Sequence, residues 1–404
     1  MKNIQRLELP AAADMHVHLR QGELMDLVVP TVRQGGVDTA FVYEAHQPNC
    51  PVYYQVPPLT AVDKVLEYQS KLQAITKDVH FLMSLFLHPS VTPEVIAQAA
   101  AAGVSGVKLY PQGVTTNSDN GVANIEAFYP TFAAMEEHDI VLNLHGEVLE
   151  SLAPPDTTLE EAFLPTLKKL HESFPKLRIV FVSEEDTLTP GAFSLSIVLL
   201  QQQSKLFAPV GQLLAVWFDS FCCSYSFLGT KLLMSLGHVA TITAHHLYLT
   251  SAEACCDPFA FCKPIPKKPT DRDALLRAIA SGENKFFFGS DSAPHLLQTK
   301  KSAAQGKAPA GVFTQPYVVQ LVLLALEEAI ERGVIKEGEI TQEKLEGFLS
   351  RNGRKFYKLP ETSGRRIVLE RKGEKIPPSV ASADGATEVG ISREGAEVFT
   401  LTWV

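Results

Sequence analysis

Asp14-Met15-His16-Val17-His18-Leu19-Arg20 is the stretch from which the rest of this sequence is read. Side chains two apart on a strand share a face, so His16 and His18 point together while Met15, Val17 and Leu19 pack behind them. Two imidazoles on a rigid backbone are a start for a zinc site, and Arg20 continues that face as a fixed cation for a substrate carboxylate. A lone His-x-His is more often two hydrogen-bonded histidines near a strand end, so its weight depends on what the chain places beside it.

Working outward, β-rich apolar runs fall near residues 14–19, 38–43, 81–87, 106–110, 140–145, 178–182, 240–245 and 285–289. Between and after them, helical patterns cover 62–75, 93–102, 125–138, 158–174 and 318–332. Strand and helix alternating eight times over 404 residues predict an α/β fold, a (β/α)8 TIM-type barrel of the metal-dependent hydrolase kind. In such a barrel the chemistry sits where the strands end, so metal-binding residue types should gather there.

They do gather there. The first strand ends in His16 and His18, the fourth carries Lys108, the fifth ends in Leu144-His145-Gly146-Glu147, and the eighth in Gly289-Ser290-Asp291-Ser292-Ala293-Pro294-His295. A lysine in an apolar strand is costly to bury charged, and a neutral amine can take up carbon dioxide to form a carbamate whose oxygens bridge two metals. Taken singly, each residue has a plainer reading. Lys108 could be an ion-paired lysine, His145 a satisfied core histidine and Asp291 a helix cap. Four such residues at strand ends weigh against all the plain readings at once.

Composition narrows the class. A net charge of -9 without a basic stripe argues against nucleic acid and against an anionic membrane surface as partners. No uncharged apolar run reaches membrane-spanning length, and the first ten residues lack a signal or transit pattern. The six cysteines have no zinc-finger or disulfide spacing, so a reduced, cytoplasmic location is expected.

His16-Val17-His18-Leu19-Arg20, Val107-Lys108-Leu109-Tyr110-Pro111 with Thr115-Thr116-Asn117-Ser118, the His145 motif and the Asp291 motif closely resemble dihydroorotase. The likeness is to the short, monofunctional type of fungi and many bacteria, within the amidohydrolase superfamily. It extends to Thr241-Ile242-Thr243-Ala244-His245-His246-Leu247 and Ala310-Gly311-Val312-Phe313. The resemblance implies a zinc-dependent, reversible cyclisation of N-carbamoyl-L-aspartate to L-dihydroorotate in pyrimidine biosynthesis. It implies two zinc ions per subunit: one on His16, His18 and Asp291, the second on His145, with carboxylated Lys108 bridging them. Asp291 would also shuttle the proton. Arg20, His295 and Asn49 would hold the substrate carboxylate, while Ala310 and the backbone at Lys263 would touch the ring. Dimers are common in the family, so a homodimer is the implied assembly.

The sequence departs from the family pattern in two places. The run from Glu44 to Pro58 is longer than the usual loop around the carboxylate-binding asparagine, so the placement of Asn49 differs from the pattern. After the sixth strand, Ser183 stands where the family places a histidine ligand, and a serine hydroxyl is a poor zinc ligand. From Thr187 to Gly237 only Lys205, Asp219 and Lys231 are charged, without helix-and-turn pattern. The chain is therefore read as a single barrel domain over 1–404 with an atypical segment over about 182–239 and a carboxyl-terminal extension over about 362–404. The atypical segment has three readings: unspliced or misassigned coding sequence, a genuine insertion in which Glu184, Glu185 or His238 replaces the ligand, or a chain that has lost one metal. Beside dihydroorotase, two alternatives stay open: a catalytically impaired relative, and another cyclic-amide hydrolase such as a hydantoinase-like enzyme.

Overall fold

Eight parallel strands form one sheet in strict chain order: β2 Ala12–His18, β3 Val37–Tyr43, β4 His80–Phe86, β5 Gly106–Leu109, β6 Val141–His145, β7 Ile179–Val182, β8 Val239–Ile242 and β9 Phe286–Phe288. They are preceded by β1, Arg6–Pro10. The computed structural model describes residues 4–43, 58–114, 118, 121–155, 157–182, 239–304 and 308–404. Asn49 and its loop, and Ser183, Glu184, Glu185 and His238 with the atypical segment around them, lie outside the described residues.

Each predicted strand is present, offset by a few residues at most. Strands buried on both faces are written as nearly continuous apolar runs, which is why sequence finds them. The ends of the sheet are joined by main chain: Asp291 N–H donates to His16 O at 2.7 Å and His18 N–H donates to Ser292 O at 3.1 Å. The ring of strands is thus closed beside the first histidine pair.

Helices wrap the strands: α1 Gly22–Gln34, α2 Val62–Ile75, α3 Pro93–Ala101, α4 Tyr129–Glu137 and α5 Leu164–Ser173. They continue with α6 Ser251–Ala254, α7 Pro269–Ser281, α8 Leu297–Lys301, α9 Val318–Glu331, α10 Gln342–Glu346 and α11 Asn352–Phe356. The helices expected over 125–138 and 158–174 each begin instead as a short 3-10 turn, Ile125–Phe128 and Glu161–Phe163. Pro130 and Pro165 explain this, because proline has no N–H and is tolerated only in the first helical turn.

The core has two layers. Ala13, Met15, Phe41, Tyr43, Val141, Val180, Phe287 and their neighbours fill the barrel interior, while a larger cluster packs between strands and helices. Met15 corrects the sequence reading, which put it behind the histidines with Val17. The pairing of β2 with β3 shifts register between Asp14 and Val17, so alternation is interrupted there and Met15 joins the interior set.

At the amino-terminal mouth the interior is plugged from below. Tyr357, next after α11, donates to Asn143 Oδ1 at 2.7 Å and Tyr43 donates to the same oxygen at 2.9 Å. Arg354 donates from Nη2 to Asp38 Oδ1 at 2.6 Å and to Thr39 Oγ1 at 2.8 Å. The last residues supply β10 Arg366–Lys375, β11 Ser379–Ala381, β12 Glu388–Gly390 and β13 Glu397–Trp403, and β10 lies antiparallel between β1 and β13. Among the described residues, no helix is long and apolar enough to cross a membrane.

Candidate active site

The carboxyl ends of β2 and β9 meet at one carboxylate. Asp291 Oδ1 lies 3.2 Å from His16 Nε2 and 3.1 Å from His18 Nε2. The three side chains form a group whose ligating atoms all fall within 4.8 Å of one another. Burial opposes ionisation of Asp291, but the two histidines outweigh it and hold its carboxyl far below the usual range. Burial likewise pushes His16 and His18 below the ordinary histidine value, so both imidazoles are neutral, the form in which they bind metal. Gly289 makes the close approach possible: a Cβ there would sit 2.9 Å from His16 Cβ and 2.8 Å from Thr241 Cγ2.

Lys108 rises from the middle of β5 and is 1% exposed. Its Nζ has no hydrogen-bond partner among the described residues and lies 4.9 Å and 4.8 Å from the ring centres of Tyr43 and Tyr110. Burial pulls its ammonium down to about 7, with Asp291 partly offsetting the fall. The plain reading of Lys108 as an ion-paired lysine finds no support, since Nζ makes no salt bridge among the described residues. An amine that is substantially neutral near physiological pH is the species that forms a carbamate.

His145 ends β6 and hydrogen-bonds through Nε2 to Glu147 Oε2 at 2.6 Å. Burial opposes the charge on Glu147, but the His145 bond together with the nearby charges of His145, Lys263 and Lys267 keeps the carboxyl below its ordinary value. With Nε2–H donated to a carboxylate, the ring's lone pair sits on Nδ1, the arrangement by which an outer carboxylate fixes the tautomer of a metal-ligating histidine. The sequence motif contained Glu147 but gave it no role. The signal was available only as a carboxylate two residues after a strand-end histidine.

Arg20 does not continue the strand. Its φ of 61° lies in the left-handed region, as does the φ of 45° at Asp291, so both site residues leave their strands in a conformation that costs non-glycine residues energy. The turn aims the buried guanidinium across the mouth. Nε donates to Pro294 O at 2.9 Å, and Nη2 lies 3.4 Å from His295 Nε2. His295 Nε2 in turn donates to Ala310 O at 2.7 Å. Arg20, His295 and Ala310 are thereby brought together beside Asp291. Lys263 belongs to a neighbouring segment, joined to the Ala310 loop by the Gly311 N–H to Phe261 O bond of 2.9 Å.

A further group was quoted as a motif but given no role. His245, His246 and Cys262 are buried with ligating atoms within 4.8 Å of one another. Two of the three already satisfy each other: His246 Nδ1 meets Thr243 Oγ1 at 2.5 Å, and its Nε2 meets Cys262 Sγ at 3.3 Å. Burial also pushes the Cys262 thiol well above its ordinary value, so it is protonated. His246 and Cys262 are thus a hydrogen-bonded pair, with the His245 ring beside them at 4.0 Å between ring centres of the two histidines. Only His245 carries both ring nitrogens buried without a hydrogen-bond partner among the described residues.

The chain is similar to known proteins over most of its length. The protein family described as Amidohydrolase matches residues 13–182. A probable dihydroorotase of Schizosaccharomyces pombe is 41% identical over 377 residues, 93% of this chain and 94% of that protein. The crystal structure of dihydroorotase in complex with 5-fluoroorotic acid from Saccharomyces cerevisiae superposes with a TM-score of 0.76 at 34% identity, covering 99% of each chain. An L-hydantoinase (dihydropyrimidinase) from Arthrobacter aurescens has a TM-score of 0.64 over 98% of this chain and 88% of its own, but at 14% identity it shares the fold alone.

Proposed function

The chain belongs to the dihydroorotase family of amidohydrolases, and from that premise we propose that it interconverts N-carbamoyl-L-aspartate and L-dihydroorotate at the mouth formed by β2, β5, β6 and β9. The family is metal-dependent, generally with zinc. The donor set suits that ion: neutral imidazoles, a carboxylate and a neutral buried amine without a partner. His16, His18 and Asp291 would hold one zinc, His145 the second, and carboxylated Lys108 would bridge the two. Bound zinc supplies Lewis-acid polarisation and brings the ionisation of water close to neutral pH.

The chain's own groups supply the rest. Arg20 offers a planar, permanently charged fork to the substrate α-carboxylate. Asp291, ionised at any physiological pH, takes a proton from the attacking water and returns it to the ring nitrogen as the amide C–N bond breaks. His295 holds Ala310 O, so the Ala310 main chain and the backbone at Lys263 form a wall against the pyrimidine ring. Asn49 would assist Arg20. Glu147 holds His145 in one tautomer.

The observation that carries this reading is the Asp291 oxygen 3.1–3.2 Å from two histidine nitrogens, with a buried arginine beside the same carboxyl strand ends. An anion-binding cation at that point favours an acidic cyclic amide over the uncharged rings of hydantoinases. The experiment is turnover by zinc-loaded protein, with ring closure of N-carbamoyl-L-aspartate at acidic pH, ring opening of L-dihydroorotate at alkaline pH and hydantoin as comparator. Preferred turnover of L-dihydroorotate is expected. A preference for hydantoin would move the chain to the hydantoinase-like reading, and no turnover with incomplete zinc to the impaired one.

A further inference from the structure

Lys300, at the end of α8, is 3% exposed, yet it makes no salt bridge among the described residues. Its three ammonium protons meet three main-chain carbonyls: Pro258 O at 2.7 Å, Phe261 O at 3.3 Å and Gly311 O at 2.5 Å. An ammonium has three donors and no acceptor, so this is its full capacity. Charge-assisted bonds of this kind offset much of the cost of burying the cation.

The carbonyls come from two separate segments. Pro258 and Phe261 lead into Cys262 and Lys263, while Gly311 follows Ala310 directly. The segments are otherwise joined by the Gly311 N–H to Phe261 O bond, so that single oxygen accepts from both Gly311 and Lys300. On its other side the Ala310 loop is tied to the Asp291 motif through His295 Nε2 to Ala310 O and Ala293 N–H to Val312 O, the latter at 2.9 Å. Gly311 has a φ of 145°, and a Cβ there would lie 2.5 Å from Ala293 O, so the loop runs as close to that motif as backbone allows.

We propose that Lys300 is a positioning residue for substrate: its ammonium pins the main chain around Lys263 to the main chain around Ala310 and so sets the spacing of the two walls that grip the pyrimidine ring. This rests on the reading above that those two backbone segments meet the ring. Without the ammonium, Pro258 O and Gly311 O lose this donor, Phe261 O keeps only Gly311 N–H, and the walls can separate, although no atom touching metal or the scissile bond has changed.

The test uses the zinc-loaded full chain with L-dihydroorotate as substrate. Lys300→Met removes all three donors at similar length, and Lys300→Gln keeps two on a shorter stem. The expected result is a KM about tenfold higher in the methionine chain and less in the glutamine chain, with kcat within about threefold and zinc per chain unchanged. An unchanged KM in either folded variant overturns the proposal. So does a parallel loss of KM, kcat and zinc, or failure of both variants to fold, since each marks a merely structural lysine. If the unmodified chain does not turn over L-dihydroorotate, the family-based reading fails first and the role of Lys300 falls with it, an outcome the variants cannot mimic.

Discussion

At the amino-terminal mouth of the barrel, Arg354 is bonded to Asp38 and Thr39, and Tyr357 reaches into the interior to donate to the Asn143 oxygen that Tyr43, at the far end of β3, also meets. At the carboxyl-terminal mouth, Lys108 Nζ, His16 Nδ1, His18 Nδ1 and both nitrogens of His245 are buried without hydrogen-bond partners among the described residues. The strands and the interior between the two ends are the same, so neither sequence class nor depth of burial explains the contrast. Buried polar groups left unsatisfied cost free energy unless something outside the protein meets them. On the proposed function, the lower set contributes to stability and the upper set is there to meet a ligand.

If this contrast holds, substitutions at the two ends should fail in opposite ways. The largest effect is expected from Lys108→Met: turnover of L-dihydroorotate should fall by roughly a thousandfold or more, because the group proposed to bridge the metals is gone. Since Nζ has no hydrogen bond to lose, the metal-free protein should melt no lower than the native chain. Calorimetry beside kinetics reads both, and a large drop in melting temperature would put Lys108 in the structural class. Arg354→Met should do the reverse. It leaves the buried Asp38 without its cation, with only the Thr39 and Ser363 hydroxyls, at a cost of about 3 kcal/mol in denaturant unfolding, while turnover per folded, zinc-loaded molecule stays near native.

Smaller effects sharpen the boundary between the ends. Glu147→Gln removes the charged acceptor of His145, and a titration of zinc against a competing chelator should show affinity weakened by about 10–100-fold. Unaltered affinity would separate His145 from metal binding. Tyr357→Phe removes one donor from Asn143 Oδ1 while Tyr43 retains its own, so a loss of about 1 kcal/mol in stability with unchanged KM is expected. A change in KM would show that the plug is coupled to the site.

The strands and most of the site were legible because each is written in a local pattern. Runs such as Val37–Tyr43 announce two-sided burial, and polar types such as His145 interrupt those runs only at their ends. What failed depended on geometry that sequence does not carry. The register shift after Asp14 turned Met15 inward, and the left-handed turn at Arg20 took it off the strand while keeping it at the mouth. Pro130 and Pro165 were visible, yet the helical patterns read from sequence run through them instead of starting at them. The partnership of Glu147 with His145 and the three carbonyls around Lys300 come from contacts no spacing rule encodes. Asn49 and Ser183, the two departures from the family pattern, fall outside the described residues.

The upper mouth is read as a two-metal centre built from the Asp291 carboxylate with its two histidines, His145 and the unpartnered Lys108 amine. Elemental zinc per chain, measured on purified protein that opens L-dihydroorotate, tests that most directly. Two zinc ions per active chain is the expected result. Undiminished ring opening by a chain from which zinc is absent would contradict it.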